Sequence, residues 1–222
     1  MRAWIRFGKN DRLRFVSHLD LQRFFQRALN RTGLPIAYSQ GFNPHPVMSF
    51  GSALAVGWTS AYEILDFKLA VPMGRARTEE AMRSALPEDL PVLGVRMVDD
   101  RFPAPMARIE AAEYLLRAED APQLARAVEE FMARERVLAI RKTKSGEKEV
   151  DIRPMALALE PREEGLFARL MLTEQETLKP DLLLATLRKN AGLDSVPSHI
   201  HRLSLLGRGA SGEWMPMMEW KP

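Results

Sequence analysis

The chain has 222 residues, a length for one or two domains at roughly 150 residues each. Its apolar fraction of 46% is that of a globular protein with a core. Cysteine is absent, which excludes disulfides, a thiolate nucleophile and Cys-ligated zinc or iron–sulfur chemistry from this chain's own residues. No apolar run approaches the roughly 18 residues of a membrane span, and the opening M-R-A-W-I-R-F is not a signal peptide, so a cytoplasmic location with no membrane partner is expected.

In chain order, Ala3, Ile5 and Phe7 alternate with Trp4 and Arg6 and predict a first strand. Lys9-Asn10-Asp11 makes a turn, and Arg12 to Phe15 alternates again. Ser17 to Asp20 reads S-x-x-D ahead of an apolar run, a helix-start signature. The Ser17 hydroxyl would accept from a first-turn N–H, and Asp20 suits the positive end of the helix dipole. The helix runs to about Arg31, with Leu21, Phe24, Phe25 and Ala28 as its buried stripe. Arg23, Arg27 and Arg31, four apart, share the opposite face. Gly33 caps its end and Pro35 prevents continuation.

The loop that follows, Gln40-Gly41-Phe42-Asn43-Pro44-His45-Pro46, is stiff because its prolines fix φ. A stiff loop presenting Phe42 and His45 beside an arginine stripe reads as a recognition surface; the alternative is a tight connection whose Phe42 plugs the core. Charge is uneven too. Met1 to Tyr62 holds eight basic and two acidic residues, a local excess of +6 in a chain of net +3, with no acid between Asp20 and Glu63. That is the footprint of a phosphate-rich partner, although a stripe of arginines can also simply keep a surface helix solvated.

Farther on, Val47 to Val56 is expected as strand, Gly57 to Ser60 as turn, and Tyr62 to Leu69 as a longer strand. A short helix is expected from Thr78 to Leu86, and a closing strand from Val92 to Val98. The order strand, helix, strand, strand, helix, strand is the ferredoxin-like pattern. Asp99 to Arg108 is the linker candidate. The same grammar then returns. Glu113 to Ala118 is a strand, and Asp120 and Pro122 open a helix bearing Leu124, Val128 and Phe131. Val137 to Ile140 is a strand, residues 141–148 a charged hairpin tip, and Ile152 to Leu159 and Leu166 to Leu172 are strands. Pro180 to Gly192 is a helix and Ser198 to Leu206 the last strand. The expected fold class is therefore α+β, with two tandem ferredoxin-like (βαββαβ) sandwich domains at 1–100 and 109–222.

Several chemistry-bearing motifs can be weighed. Gly207 to Gly212 spells G-x-G-x-x-G after a strand, but neither a following helix nor a downstream acid completes a dinucleotide site. His199 and His201 lie on one strand face. Without a third ligand they read as a polar sheet face or a contact to RNA or a partner before a metal site. His18, in the first helical turn beside Asp20, is a candidate general acid or base, or a structural histidine. Tyr38, Ser39 and His45 become its neighbours if the loop folds back. No triad, phosphate-binding loop or metal signature is present.

The segments R-F-V-S-H-L-D-L-Q-R-F-F-Q-R-A-L and L-P-I-A-Y-S-Q-G-F-N-P-H-P, the strand with Glu63, Leu65 and Asp66, and K-E-V-D-I-R-P at 148–154 together resemble a bacterial radical-SAM-linked family of unknown function. In that family the domain stands alone or is fused behind a B12-binding radical-SAM protein. The resemblance implies a radical-SAM partner that supplies cluster and chemistry, leaving this chain with no cofactor or metal of its own. The family is in turn distantly similar to the repeat-associated RNA-binding proteins of CRISPR systems, which pair two ferredoxin-like domains and bind or cleave RNA. Some cleave with a histidine near the first helix, roughly where His18 falls. Their glycine-rich loop lies near the last helix and strand, whereas here the glycines follow the last strand.

The expectation is thus an RNA-binding accessory protein, not itself an enzyme, that presents RNA to a radical-SAM enzyme; nothing indicates a DNA preference. Arg14, Ser17, His18, Asp20, Arg23, Arg27 and Arg31 would contact substrate from the helix. Tyr38, Ser39, Phe42, Asn43 and His45 would do so from the loop. Phosphate contacts would position the strand, and Phe42, Tyr38 or His45 would stack on unpaired bases. One alternative is a metal-independent endoribonuclease using His18 or His45; another is a protein-docking module without RNA affinity.

Overall fold

The computed structural model describes residues 1–143 and 146–221, with the Thr143 side chain also outside the description. Lys144 and Ser145 of the expected hairpin tip therefore lie outside the described residues. The chain is α+β and forms two compact units, Met1–Ile109 with Gly207–Pro222, and Glu110–Leu206. The division differs from the expected 1–100 and 109–222: the linker candidate 99–108 and the segment 207–222 both belong with the first unit.

In the first unit β1 (Arg2–Lys9) leads through a 3-10 turn into α1 (His18–Arg31), then β2 (Met48–Phe50), β3 (Thr59–Lys68), α2 (Arg75–Ala85) and β4 (Val92–Val98). β1 pairs antiparallel with both β3 and β4, and β2 pairs antiparallel with β3, so the order is β4-β1-β3-β2. On one face Ala3, Ile5 and Phe7 of β1 pack with Leu65 and Phe67 of β3 against Leu21, Phe25 and Leu29 of α1 and Met82 of α2. Phe25 is wedged 4.8 Å from Phe7 and 5.5 Å from Phe50, ring centre to ring centre. Phe24, expected in the stripe, is only partly buried.

The opposite face of β1 is covered as well. Trp4, on the other face from Ala3, Ile5 and Phe7, is fully buried, edge-on to Phe102 at 5.3 Å and beneath the Arg96 guanidinium. Phe102 in turn meets Trp220 at 5.8 Å. Arg96 donates to the Trp220 carbonyl at 2.6 Å, the Tyr62 hydroxyl accepts from the Met218 N–H at 2.8 Å, and the Trp220 indole donates to the Arg208 carbonyl at 2.7 Å. Burial pushes the Tyr62 phenol up to about 12. The segment after Gly207 is thus a second cover for the sheet, and β11 (Trp214–Pro216) folds back on the preceding strand. No helix follows the G-x-G-x-x-G run, so no dinucleotide fingerprint is built there.

The second unit holds β5 (Ala111–Ala118), α3 (Leu124–Ala133), β6 (Leu138–Thr143), β7 (Gly146–Asp151), β8 (Ala156–Arg162), β9 (Gly165–Met171), α4 (Pro180–Ala191) and β10 (Ser198–Arg208) as far as Leu206. Its main strands run β10-β5-β9-β8, all antiparallel, and β6 and β7 form a separate two-stranded sheet. Between the helices' ends and β10, Arg188 makes a bidentate bond to Asp120 at 2.7 and 2.9 Å and a third to the Ser198 hydroxyl at 2.8 Å. Asp120 thus serves as the arginine's buried partner beside α3, and the guanidinium holds its carboxyl below the usual carboxylate range. Gly192 ends α4 at φ 68°, as Gly33 follows α1 at φ 67°, a left-handed conformation that glycine adopts without strain.

Other bounds move for physical reasons. Of the expected 47–56 strand only Met48–Phe50 pairs, while Thr59 and Ser60, expected in a turn, belong to β3. α2 begins at Arg75 because Thr78 is buried and its hydroxyl bonds back to the Gly74 carbonyl. β7, with its run of charges, has no apolar alternation to announce it.

If the Trp220 cover holds the first unit together, Trp220→Ala should lower its unfolding free energy by about 3–5 kcal/mol in urea titration. A loss within the scatter of a surface substitution would show the cover to be dispensable.

Candidate functional site

The region with the most candidate residues is the surface of α1 and the segments entering and leaving it. Entry is fixed by Lys9. Its side chain is 1% exposed, and its amine donates to the Arg14 and Val16 carbonyls, both at 3.0 Å. Burial lowers the pKa of this amine, with the Glu63 carboxylate opposing. Two carbonyl acceptors compensate much of the desolvation of the ammonium. The segment they belong to turns Arg14 and Phe15 outward. Arg14 pairs with Asp11 at 2.6 Å and lies over the Phe15 ring, itself 68% exposed.

Ser17 then caps α1. Its hydroxyl accepts from the Asp20 N–H at 3.2 Å and donates to the Asp20 carboxylate at 2.6 Å, a reciprocal capping arrangement. Arg23 reaches Asp20 at 3.6 Å. Ser17 and Asp20 are thus engaged in building the helix start. His18 is half-buried, edge-on to Phe50 at 5.1 Å between ring centres. Desolvation lowers its pKa, favouring neutral imidazole.

Along the outer face Leu19, Arg23 and Arg27 are exposed at helical spacing of four. Among the described residues Arg27 makes no ion pair. Arg31 leans toward α2, donating to the Ala85 carbonyl at 3.3 Å with its guanidinium 5.9 Å from the Phe24 ring. Of the other basic residues counted in this stretch, Arg2 makes a bidentate pair with Asp66 and Arg6 lies over the Tyr62 ring, whereas Arg12 stays exposed, 3.9 Å from Asp89.

The loop is fastened to the far end of the helix. The Tyr38 hydroxyl donates to the Asn30 side chain at 2.6 Å. Ser39 and His45 exchange bonds, Ser39 N–H to the His45 carbonyl at 2.9 Å and His45 N–H to the Ser39 hydroxyl at 3.1 Å. Gly41, Phe42, Asn43 and Pro44 span this closure and are exposed; Phe42 is wholly so. It does not plug the core. From His18 to Asn30 the helix advances about 18 Å at about 1.5 Å per residue. Tyr38, Ser39 and His45 therefore gather at the opposite end of α1 from His18. The loop closes on itself rather than folding back.

Sequence reasoning missed four contributors: Phe15 and Leu19 as exposed apolar groups, Asn30 as the anchor of Tyr38, and Phe50 as the neighbour of His18. The R-F pair at 14–15 offered a signal for the first; no local signal marks Asn30 or Phe50. In the second unit, His199 and His201 stand opposite Arg117 and Leu115 on β5. Burial, then Arg117 and His199, lowers the pKa of His201, with Glu164 opposing. Among the described residues no group of three or more His, Cys, Asp or Glu is placed to hold a metal ion, and no helix is long and apolar enough to cross a membrane.

These features define an α+β protein with an acid-poor, arginine-bearing helix face and a closed aromatic loop. Residues 2–180 match the family described as uncharacterized protein conserved in bacteria (DUF2344), and the chain belongs to that family. No curated protein matches it.

The lowered His18 pKa gives a signed expectation. The unfolded imidazole titrates near 6.5, so this contribution to stability is complete above that value and is lost as pH falls from there to the lower folded value. Between about pH 7.5 and about pH 5.5, His18→Asn should lose less unfolding free energy than wild type, measured by urea titration at each pH. Equal losses would refute a depressed His18.

Proposed function

We propose that this protein binds single-stranded RNA along the outer face of α1 and the 38–46 loop and presents it to a radical-SAM enzyme, without catalysing a step itself. The observation that carries the reading is Phe42. A fully exposed phenylalanine costs solubility and contributes nothing to the core, yet it is held on a loop closed by Ser39–His45 and fastened through Tyr38 to Asn30. A solvent-facing ring on a closed loop fastened to an arginine-bearing helix offers base stacking together with phosphate anchoring. Arg23 and Arg27 are the phosphate contacts, Arg14 extends them toward the start of α1, and Phe42 is the stacking platform, with Tyr38, Asn43 and His45 around it.

The radical-SAM partnership rests on the family resemblance of the α1 and loop motifs. The finer fold reading, two ferredoxin-like units, is supported by the shared element order and the matching strand orders β4-β1-β3-β2 and β10-β5-β9-β8, with β6–β7 as an insertion in the second unit. A protein-docking role has its own observation. Phe15 and Leu19 are 68% and 53% exposed beside Arg14, a combination suited to a partner surface with acidic and apolar groups. The two roles are compatible, one at each end of α1. A ribonuclease using His18 or His45 alone has no observation of this kind behind it.

RNA binding by the purified chain should weaken with salt, log K falling by about 0.7 per log unit of salt for each contacted phosphate. Arg23→Glu with Arg27→Glu should cost about tenfold or more in affinity, and Phe42→Ala about 1–3 kcal/mol. Absence of binding even at low salt would remove RNA from the proposal and leave the docking role.

A further inference from the structure

The second unit contains a cleft of about 830 Å³, within the range of small-molecule sites. One wall is the β6–β7 hairpin, the other the turn from β9 into α4. Its floor is apolar: Val150, which the alternation of β7 puts on the same hairpin face as Lys148, with Met155 and Leu182.

The hairpin wall is electrostatically odd. Arg141 and Lys148 face each other directly across the two strands, and like charges at that position are destabilising. Among the described residues neither has an acid within salt-bridge distance, whereas Lys142 is paired with Glu147 at 4.0 Å. Lys179 adds a further cation from the opposite wall. Two acids, Glu176 and Asp181, also line that wall, which directs an anion toward the hairpin side. The hairpin is not a loose appendage. Asp151 at its base accepts from the Val137 and Arg153 N–H groups at 3.0 and 3.1 Å, and the Arg153 guanidinium donates to the Met132 carbonyl of α3 at 3.0 Å.

We propose that this cleft binds a phosphate-bearing nucleotide, with the phosphates between Arg141 and Lys148 and the base and sugar on the Val150–Met155–Leu182 floor. Two opposed, acid-free cations match the multiple charge of a di- or triphosphate better than a single carboxylate. The floor provides for an uncharged body of nucleotide size, and Gln175 and Thr177 on the rim supply hydrogen-bonding groups for its edge. The nucleotide can be free or the 5′ end of an RNA; the chemistry is the same. The inference does not depend on RNA binding at α1.

The test is calorimetric titration of the full chain with ATP, inorganic tripolyphosphate, a short 5′-triphosphorylated RNA and the same RNA with a 5′-hydroxyl. The variants are Arg141→Gln/Lys148→Gln and, separately, Lys179→Gln. ATP binding that falls by about tenfold or more in the double variant, and is unchanged in Arg23→Glu/Arg27→Glu, assigns a free nucleotide to the cleft. Binding of the triphosphorylated RNA alone, with the same dependence on Arg141 and Lys148, assigns an RNA end. Removing the opposed charges should leave the thermal midpoint equal or higher, which separates a ligand site from a structural one. The proposal is overturned if ATP and the triphosphorylated RNA both fail to bind or if tripolyphosphate binds as tightly as ATP. Binding indifferent to the double variant, or a double variant that loses stability, overturns it equally.

Discussion

The first unit is organised by a strand that is apolar on both faces. Side chains alternate along a strand, so Ala3, Ile5 and Phe7 face one way and Trp4 the other, and all four are fully buried. Such a strand needs two covers. α1 and α2 provide one, and Phe102 with Trp220 provides the other. The first cover fixes the orientation of α1: with Phe25 wedged between Phe7 and Phe50, the helix cannot rotate without unpacking three rings. Its outward face, with Leu19, Arg23 and Arg27, is therefore set by the core and not by any ligand.

Buried polar groups refine what the core fixes. The Lys9 amine is taken out of water at a cost offset by two carbonyls, and those carbonyls belong to the segment that enters α1. One strand residue thus sets both the approach to the helix and the display of Arg14 and Phe15. Arg188 does comparable work in the second unit, joining α4, the residue Asp120 before α3, and Ser198 at the start of β10 through a single guanidinium. A pair this buried has little net value over an apolar substitute, but losing one partner strands the other. Its contribution is to specify where the elements meet.

Much of the backbone was legible because it obeys local rules. The S-x-x-D start and Gly33 end bracket α1, and Pro180 and Gly192 bracket α4, each through the chemistry that closes a helix end. The misreadings share one cause, that sequence shows a side chain's type but not what covers it. The alternation around Trp4 marks a strand but does not show that the second face is covered too. Residues 99–108 look like a linker because their prolines break periodicity, yet the backbone carbonyl of Phe102 accepts from Arg2 and its ring packs on Trp4. Counting Arg2, Arg6 and Lys9 as surface charge inflated the basic footprint, since each has a fixed partner. β7 is a strand through its pairing with β6, a long-range fact that its own run of charges conceals.

The layout of the candidate residues bears on the kind of chemistry they serve. Acid–base catalysis needs its groups converging on one bond within hydrogen-bonding reach, and α1 separates His18 from Tyr38 and His45 by three turns. The His18 ring packs against Phe50, while the backbone of His45 closes the loop onto Ser39. The outer surface of α1 thus has exposed apolar groups at one end, arginines along it and an exposed aromatic loop at the other. The 3.6-residue turn brings Leu19, Arg23 and Arg27 to one side of α1, while the length of that helix sets His18 apart from the end where Tyr38 and His45 gather.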